Sequence, residues 1–301
     1  MAAAAAIRGR VLVVGASGML GHMACRVLGE KFDVRATCRG DWRSHPGLAH
    51  MIPEERCIER CDAIDSARLH AVVRQLRPAY VLNCVGLIKQ KRGAEDPVRS
   101  VALNGLLPHQ LAAWCTEQDA KLIHVSTDCV FSGAKGNYRE SDPPDCTDLY
   151  GRSKLIGEVA APPHLTLRTS MVGRQLRGTE SLVEWFISQR GKTVRGFTKA
   201  IFSGLTTHAL CRVIEHVLLE APHLTGVYQV ASAPISKFDL LTRLNQLMAL
   251  GATVEADDSF LCDRSLDGGR FVRDSGATMP DWDRMLRELA DDAANYRRWL
   301  V

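Results

Sequence analysis

Tyr150 and Lys154 stand four residues apart in the run Tyr150-Gly-Arg-Ser-Lys154, a spacing that places both side chains on one face of a helix. A free tyrosine titrates near pH ~10 and exchanges its proton poorly at neutrality. A cation beside it favours the phenolate and eases that exchange. Upstream, Ser126-Thr127-Asp128 closes the apolar run Lys121–Val125, which reads as a strand. A hydroxyl such as Thr127, at the strand's C-terminal tip, can hold an oxygen whose charge changes during reaction. These groups suit hydride transfer to or from a carbonyl carbon, and that chemistry needs a hydride source.

The N-terminal segment offers one. Arg10–Val14 reads as a buried strand, followed by Gly15-Ala-Ser-Gly18-Met-Leu-Gly21 and a helix over Met19–Leu28. Glycines in such a turn let the backbone approach a pyrophosphate, and the helix N-terminus presents unpaired N–H groups and a positive dipole end. The spacing is G-x-x-G-x-x-G rather than the tighter G-x-G-x-x-G, but its place between strand and helix is the context a dinucleotide site requires. Gly15, Ser17, Gly18, Met19 and Leu20 are the expected cofactor contacts, with Ser126, Tyr150 and Lys154 on the neighbouring elements.

Cofactor choice turns on the end of the second strand, which reads Thr37-Cys38-Arg39. Arginine suits the 2′-phosphate of NADPH, whereas an acidic residue holds the ribose 2′-hydroxyl of NADH. Arg39 favours NADPH, and Asp41 is the competitor that would favour NADH.

Strands expected at Val34–Thr37, Tyr80–Cys84, Lys121–Val125 and Leu165–Thr169 alternate with helix-length segments. That pattern implies βαβ units and a doubly wound parallel α/β sheet of Rossmann type. The long segment Pro97–Glu117 reads as a helix that Pro108 kinks or breaks. Residues 1–172 read as the dinucleotide-binding domain. Residues 173–301 read mainly as a smaller α/β substrate-binding region, with some segments returning to the first domain. Helices are expected there at Ser181–Gln189, Thr207–Glu220 and Lys237–Leu250, with short strands at Thr193–Arg195 and Val227–Val230.

Bulk properties narrow the function classes. The 301 residues carry a net charge of +4, spread along the chain, which gives no case for nucleic-acid or membrane partners. No apolar stretch approaches the ~18–20 residues of a bilayer span. The Met1–Ala6 alanine tract lacks a basic flank and reads as a tail rather than a signal peptide. Ten cysteines without C-x-x-C pairing point to reduced thiols in the cytoplasm, with no metal site.

The chain resembles the extended short-chain dehydrogenase/reductases, and within them the dTDP-4-dehydrorhamnose reductase family. The resemblance rests on the glycine turn, Asn83, Asn104, His124-Val-Ser-Thr-Asp-Cys-Val-Phe-Ser-Gly133, Tyr138-Arg-Glu-Ser-Asp142 and Tyr150–Glu158. Leu167-Arg-Thr-Ser170, Gly226–Ala231 and Pro280-Asp-Trp282 extend it through the second half. It implies that Tyr150 protonates the C4 oxygen of a nucleotide-activated sugar as hydride arrives. Lys154 would depress the tyrosine pKa and bind the nicotinamide ribose, and Thr127 would orient the carbonyl. Asp62 resembles the family's adenine-contacting aspartate. A nucleotide sugar is the implied partner, and relatives suggest a homodimer.

The departures bear on substrate. Cys129 stands where the family has an aromatic after Ser-Thr-Asp, and Met171 where it has a tryptophan. Dehydratases of the superfamily need an Asp-Glu pair after the threonine, so Asp128-Cys129 disfavours dehydration while leaving epimerisation open. Lys89, Lys91 and Arg92 form either a solvated loop or, through Lys89, a contact to the substrate's diphosphate. Ser203, in the Ala200–Thr207 segment, joins Lys89, Thr127, Asp128, Cys129 and Met171 as an expected substrate residue, and Asp267–Phe271 matches a late substrate or dimer segment. A non-catalytic role, like that of the regulatory β subunit of methionine adenosyltransferase, is the remaining alternative.

Overall fold

Strand β1 (Arg10–Val14) alternates its side chains between two apolar layers: Val11 and Val13 enter one core cluster, Leu12 and Val14 the other. Burial on both faces is what a central strand of a parallel sheet requires. The computed structural model describes residues 8–89, 93 and 95–299. The Met1–Ala6 tail and two basic loop residues, Lys91 and Arg92, lie outside the described residues.

The sheet continues with β2 (Asp33–Thr37), β3 (Cys57–Ile58), β4 (Tyr80–Asn83), β5 (Lys121–Val125), β6 (Leu165–Arg168) and β7 (Gly226–Gln229). Its seven strands are all parallel, in the order β7-β6-β5-β4-β1-β2-β3. Strand order reverses direction between β1 and β4, and in doubly wound sheets ligands bind outside the carboxyl ends at that point. Helices α1 (Met19–Leu28), α2 (Ser66–Leu76), α3 (Leu107–Thr116), α4 (Leu149–Ile156) and α5 (Thr207–Glu220) cover the sheet. α1 packs on α5 over one face, and α2 packs on α3 over the other. The last helix described, α6 (Ala293–Trp299), returns to the α1 side.

Smaller sheets lie outside this layer. Met171–Val172 pairs with Leu205–Thr206, and Thr193–Phe197 with Thr253–Asp257. Ala200–Phe202 is flanked by Ile235–Ser236 and Cys262–Asp263. The chain therefore leaves the large sheet after β6, re-enters it with α5 and β7, and leaves again.

Pro108 neither breaks nor simply kinks its helix. A turn of π-helix, Val101–Leu106, precedes α3, and the Leu107 N–H reaches back to the Ala102 carbonyl. Proline has no N–H to offer the carbonyl four residues earlier, here that of Asn104. Gly157, at the end of α4, packs against that carbonyl so closely that a Cβ there would stand 1.9 Å from it.

Candidate active site

The glycine turn is built by its contacts with β2. Gly15, at φ +90°, donates its N–H to Thr37 Oγ1 at 3.1 Å, and Ala16 donates to the Thr37 carbonyl at 2.8 Å. The left-handed φ explains a glycine at position 15. At Gly21, a Cβ would fall 2.1 Å from the Gly15 carbonyl oxygen, so α1 sits directly on the turn. Gly18 caps α1 with no side-chain hydrogen bond, so no capping side chain takes up the first-turn N–H groups at Met19 and Leu20, which follow half-buried Ser17 and Gly18 in the chain. An uncapped N-terminus behind a glycine cradle fits the pyrophosphate of a dinucleotide.

At the end of β2, Arg39 is exposed and carries no ion pair among the described residues. Asp41 is instead committed to Arg60, Nε to Oδ1 at 2.6 Å. The residue suited to a phosphate is thus the unengaged one. Asp62 is half-buried and accepts the Ile64 N–H at 3.1 Å, while the N-cap of α2 is Asp65.

Thr127, at the tip of β5, opens a short 3₁₀ turn, Asp128–Val130, by accepting the Cys129 N–H at 3.1 Å. α4 lies directly against this turn because Gly151 has no Cβ, which would otherwise meet the Cys129 carbonyl oxygen at 2.3 Å. Tyr150, one residue earlier, consequently turns its hydroxyl toward Thr127. Asp148 N-caps α4 through the Gly151 N–H at 3.0 Å. Lys89 bonds the other oxygen of Asp148 at 2.9 Å and places its ammonium 5.8 Å from the Tyr150 ring centre.

The electrostatics correct one expectation. Burial, with Cys129, Asp128 and Asp148 nearby, pushes the Tyr150 phenol above its ordinary value, and the contact with Thr127 only partly opposes this. Lys154 does not depress it. The lysine is 4% exposed, and its ammonium donates to the Val125 carbonyl at 2.7 Å. Burial lowers its pKa to about 8, opposed by Glu158. Tyr150 is accordingly held protonated, the form a general acid needs.

Side chains on the neighbouring elements fix this arrangement. Asn104 accepts the Leu87 N–H at 2.8 Å and donates to the Leu87 carbonyl and to Ser153 Oγ, tying the Lys89 loop to α4. Asn83 holds buried His124, which in turn contacts Lys154 at 3.5 Å. The Ser126 hydroxyl is bound to Glu158, which also forms a buried bidentate pair with Arg168, so this hydroxyl braces the strand ends.

The expected substrate residues divide. Asp128 is buried beside Thr127, and burial raises its pKa. Cys129 follows, its thiol pushed up to about 12 by burial. Met171 lies just past β6, half-buried and paired with Leu205. Ser203 does not present its hydroxyl to the site: it accepts the Leu266 N–H at 2.8 Å and contacts the Leu266 carbonyl. That bond anchors the segment carrying Arg264, whose guanidinium reaches Cys129 Sγ at 3.6 Å. The one available signal for Arg264 was its place just before the Asp267–Phe271 segment. Among the described residues no group of three or more His, Cys, Asp or Glu is placed to hold a metal, and no helix is long and apolar enough to cross a membrane.

The fold and the placement of glycine turn, Thr127, Tyr150 and Lys154 define a Rossmann-type α/β protein built like the extended short-chain dehydrogenase/reductases. Residues 9–240 match the family model described as the RmlD substrate binding domain, and the chain belongs to that family. Among curated relatives, a probable low-salt glycan biosynthesis reductase of Haloferax volcanii is 34% identical over 197 residues, 62% of this chain and 63% of the relative. The dTDP-4-dehydrorhamnose reductase of Streptomyces griseus is 34% identical over 154 residues, 51% of this chain and 45% of the relative. Further matches include methionine adenosyltransferase 2 subunit beta. The matched regions thus span about half the length of these relatives. Among solved structures, dTDP-4-dehydrorhamnose reductase from Bacillus anthracis, crystallised with NADP, superposes with a TM-score of 0.78 at 20% identity, covering 95% of this chain and all of that one.

Proposed function

We propose that this chain is an NADPH-dependent reductase of a nucleotide-activated 4-keto-6-deoxy sugar, working in the cytoplasm. The observation that carries the reading is the Tyr150 hydroxyl directed at Thr127, with Lys154 on the same helix, at strand ends shared with an uncapped glycine turn. Bound NADPH would supply the hydride, held by the turn from Gly15 to Leu20 and by Arg39 at its 2′-phosphate; NADH would lack that contact. Asp62 serves the adenosine end. Thr127 holds the C4 oxygen in line with the Tyr150 hydroxyl. As C4 gains the hydride, O4 takes the tyrosine proton, and the C=O bond becomes C–H and O–H. Lys154, whose ammonium sits at the Val125 carbonyl, would hold the nicotinamide ribose. Cys129 and Met171 shape the sugar site, and residues 173–301 outside α5 and β7 close over it.

The test is NADPH oxidation with dTDP- and UDP-linked 4-keto-6-deoxy sugars, comparing wild type with Tyr150→Phe. The variant should fold and bind NADPH normally and lose at least ~100-fold in turnover, the scale of general acid catalysis. Turnover without net NADPH consumption would show epimerisation instead.

A regulatory role is favoured by one observation, the match to methionine adenosyltransferase 2 subunit beta. Co-purification of a synthetase, with no turnover of any nucleotide sugar, would establish it.

A further inference from the structure

We propose that Arg264 and Lys89 form a two-cation cradle for the diphosphate of the substrate, an inference that rests on the nucleotide-sugar reading above. Arg264 comes from the far end of the chain, yet its backbone is clamped at the site. The Arg264 N–H donates to the Ile201 carbonyl at 2.9 Å, and the Asp263 N–H to the Gly133 carbonyl at 2.8 Å. Asp267 donates to the Tyr138 carbonyl at 2.7 Å, and Leu266 to Ser203 Oγ at 2.8 Å. Four bonds across five residues hold the arginine stem before any ligand arrives.

The guanidinium itself is under-used. A guanidinium has five N–H donors. Here Nε donates to the Phe131 carbonyl at 2.9 Å and Nη1 touches the Cys129 sulfur at 3.6 Å. No carboxylate lies within ion-pair distance of it among the described residues, although Asp128 and Asp148 act on it from further off. A half-buried arginine with spare donors beside the catalytic turn is suited to bidentate recognition of a phosphate. Lys89 is the second arm. Among the described residues its ion-pair partner is Asp148, whose other oxygen stays on the Gly151 N–H, so the ammonium can transfer to a ligand without uncapping α4.

The placement matches the substrate's shape. A pyranose held by its C4 oxygen between Thr127 and Tyr150 carries its anomeric diphosphate across the ring. Lys89 sits over the Tyr150 ring, and Arg264 lies against Cys129, two residues after Thr127. Both cations therefore border the site where that diphosphate would emerge.

The experiment is calorimetric titration of dTDP, UDP, thymidine and NADPH into wild type, Arg264→Gln and Lys89→Gln. Glutamine retains a donor for the Phe131 carbonyl and removes the charge. Each variant should weaken dTDP or UDP binding about 10- to 100-fold, as expected for losing hydrogen bonds to a charged group. Thymidine and NADPH affinities should be unchanged, the salt dependence shallower, and KM raised with kcat retained. An unchanged nucleoside diphosphate affinity in folded Arg264→Gln overturns the cradle, as does failure of wild type to bind dTDP and UDP. If wild type binds them through Arg264 yet oxidises no NADPH with any 4-keto sugar, the cradle stands and the reductase reading falls. Turnover by wild type with an unchanged KM in Arg264→Gln has the opposite meaning.

Discussion

Lys154 carries a cost that should be measurable in folding. Its ammonium is buried, and its pKa falls from near 10.5 to about 8. Between those two pH values the unfolded chain binds more protons than the folded one, so stability rises with pH across that window. Below pH ~8 both states are protonated and the burial penalty is full; above ~10.5 it is gone. A Lys154→Met variant lacks this titration. The wild-type stability minus that of the variant should therefore increase by roughly 1.4 kcal/mol per pH unit between ~8 and ~10.5. Urea denaturation of both proteins at pH 7, 8, 9 and 10 reads it directly, and a flat difference would show that the ammonium is not buried as described. At this scale the site was legible where side-chain type and helix spacing suffice, as for Tyr150, Lys154 and Thr127. The direction of the tyrosine shift was not, because it depends on how deeply α4 is pressed against the Asp128–Val130 turn.

Two glycines decide how the Tyr150 helix sits. Gly151 permits contact with the Cys129 carbonyl, and Gly157 permits contact with the Asn104 carbonyl, to which Pro108 offers no N–H. α4 is thus gripped at both ends, and Tyr150 and Lys154 inherit their positions from that grip. Gly157 has ordinary helical-region angles, φ −80° and ψ 0°, so alanine there strains no dihedral and acts through the clash alone. Gly157→Ala should cost about 1–3 kcal/mol, the usual penalty of overpacking. It should also lower kcat by displacing Tyr150, with NADPH affinity retained because the glycine turn lies on other elements. Denaturation and single-turnover rates together test this, and unaltered stability would refute the packing argument. Sequence periodicity located both partners, the Pro97–Glu117 helix and the Tyr150 segment, to within a residue or two. It did not show the π-helical turn, since that turn answers to Pro108 and Gly157 jointly, and they meet only in the folded chain.

The whole molecule is closed by contacts between its two ends, which no local pattern reveals. His22, on α1, donates from Nδ1 to the Gly18 carbonyl at 2.7 Å and accepts from the Tyr296 hydroxyl of α6 at Nε2. Arg26, one turn on, pairs with Asp292 through both carboxylate oxygens and lies 5.2 Å from the centre of the Trp299 ring. The C-terminal helix therefore braces the turn proposed to hold the cofactor. This bond pattern uses the neutral imidazole, and a second proton on Nε2 would face the Tyr296 oxygen in a dry site. Burial lowers the His22 pKa to about 4, with Arg26 acting in the same sense and Gly18 and Asp292 against it. Since the unfolded value is near 6.5, the unfolded chain takes up the extra proton first as pH falls. The stability that His22 contributes is complete above ~6.5 and is lost on the way down to about 4, a total on the order of 3 kcal/mol. His22→Phe should be less stable at pH 7, having lost both hydrogen bonds, but should decline less steeply between pH 6.5 and 4.5. Because the folded imidazole stays neutral until the pH approaches 4, wild-type NADPH affinity should show no loss due to His22 above pH 5. Denaturation of both proteins at pH 7, 6 and 5 measures the stability slopes, and NADPH titrations at the same pH values check that the cofactor turn stays intact. Equal stability slopes in the two proteins would mean that His22 is not held neutral and buried in the folded chain.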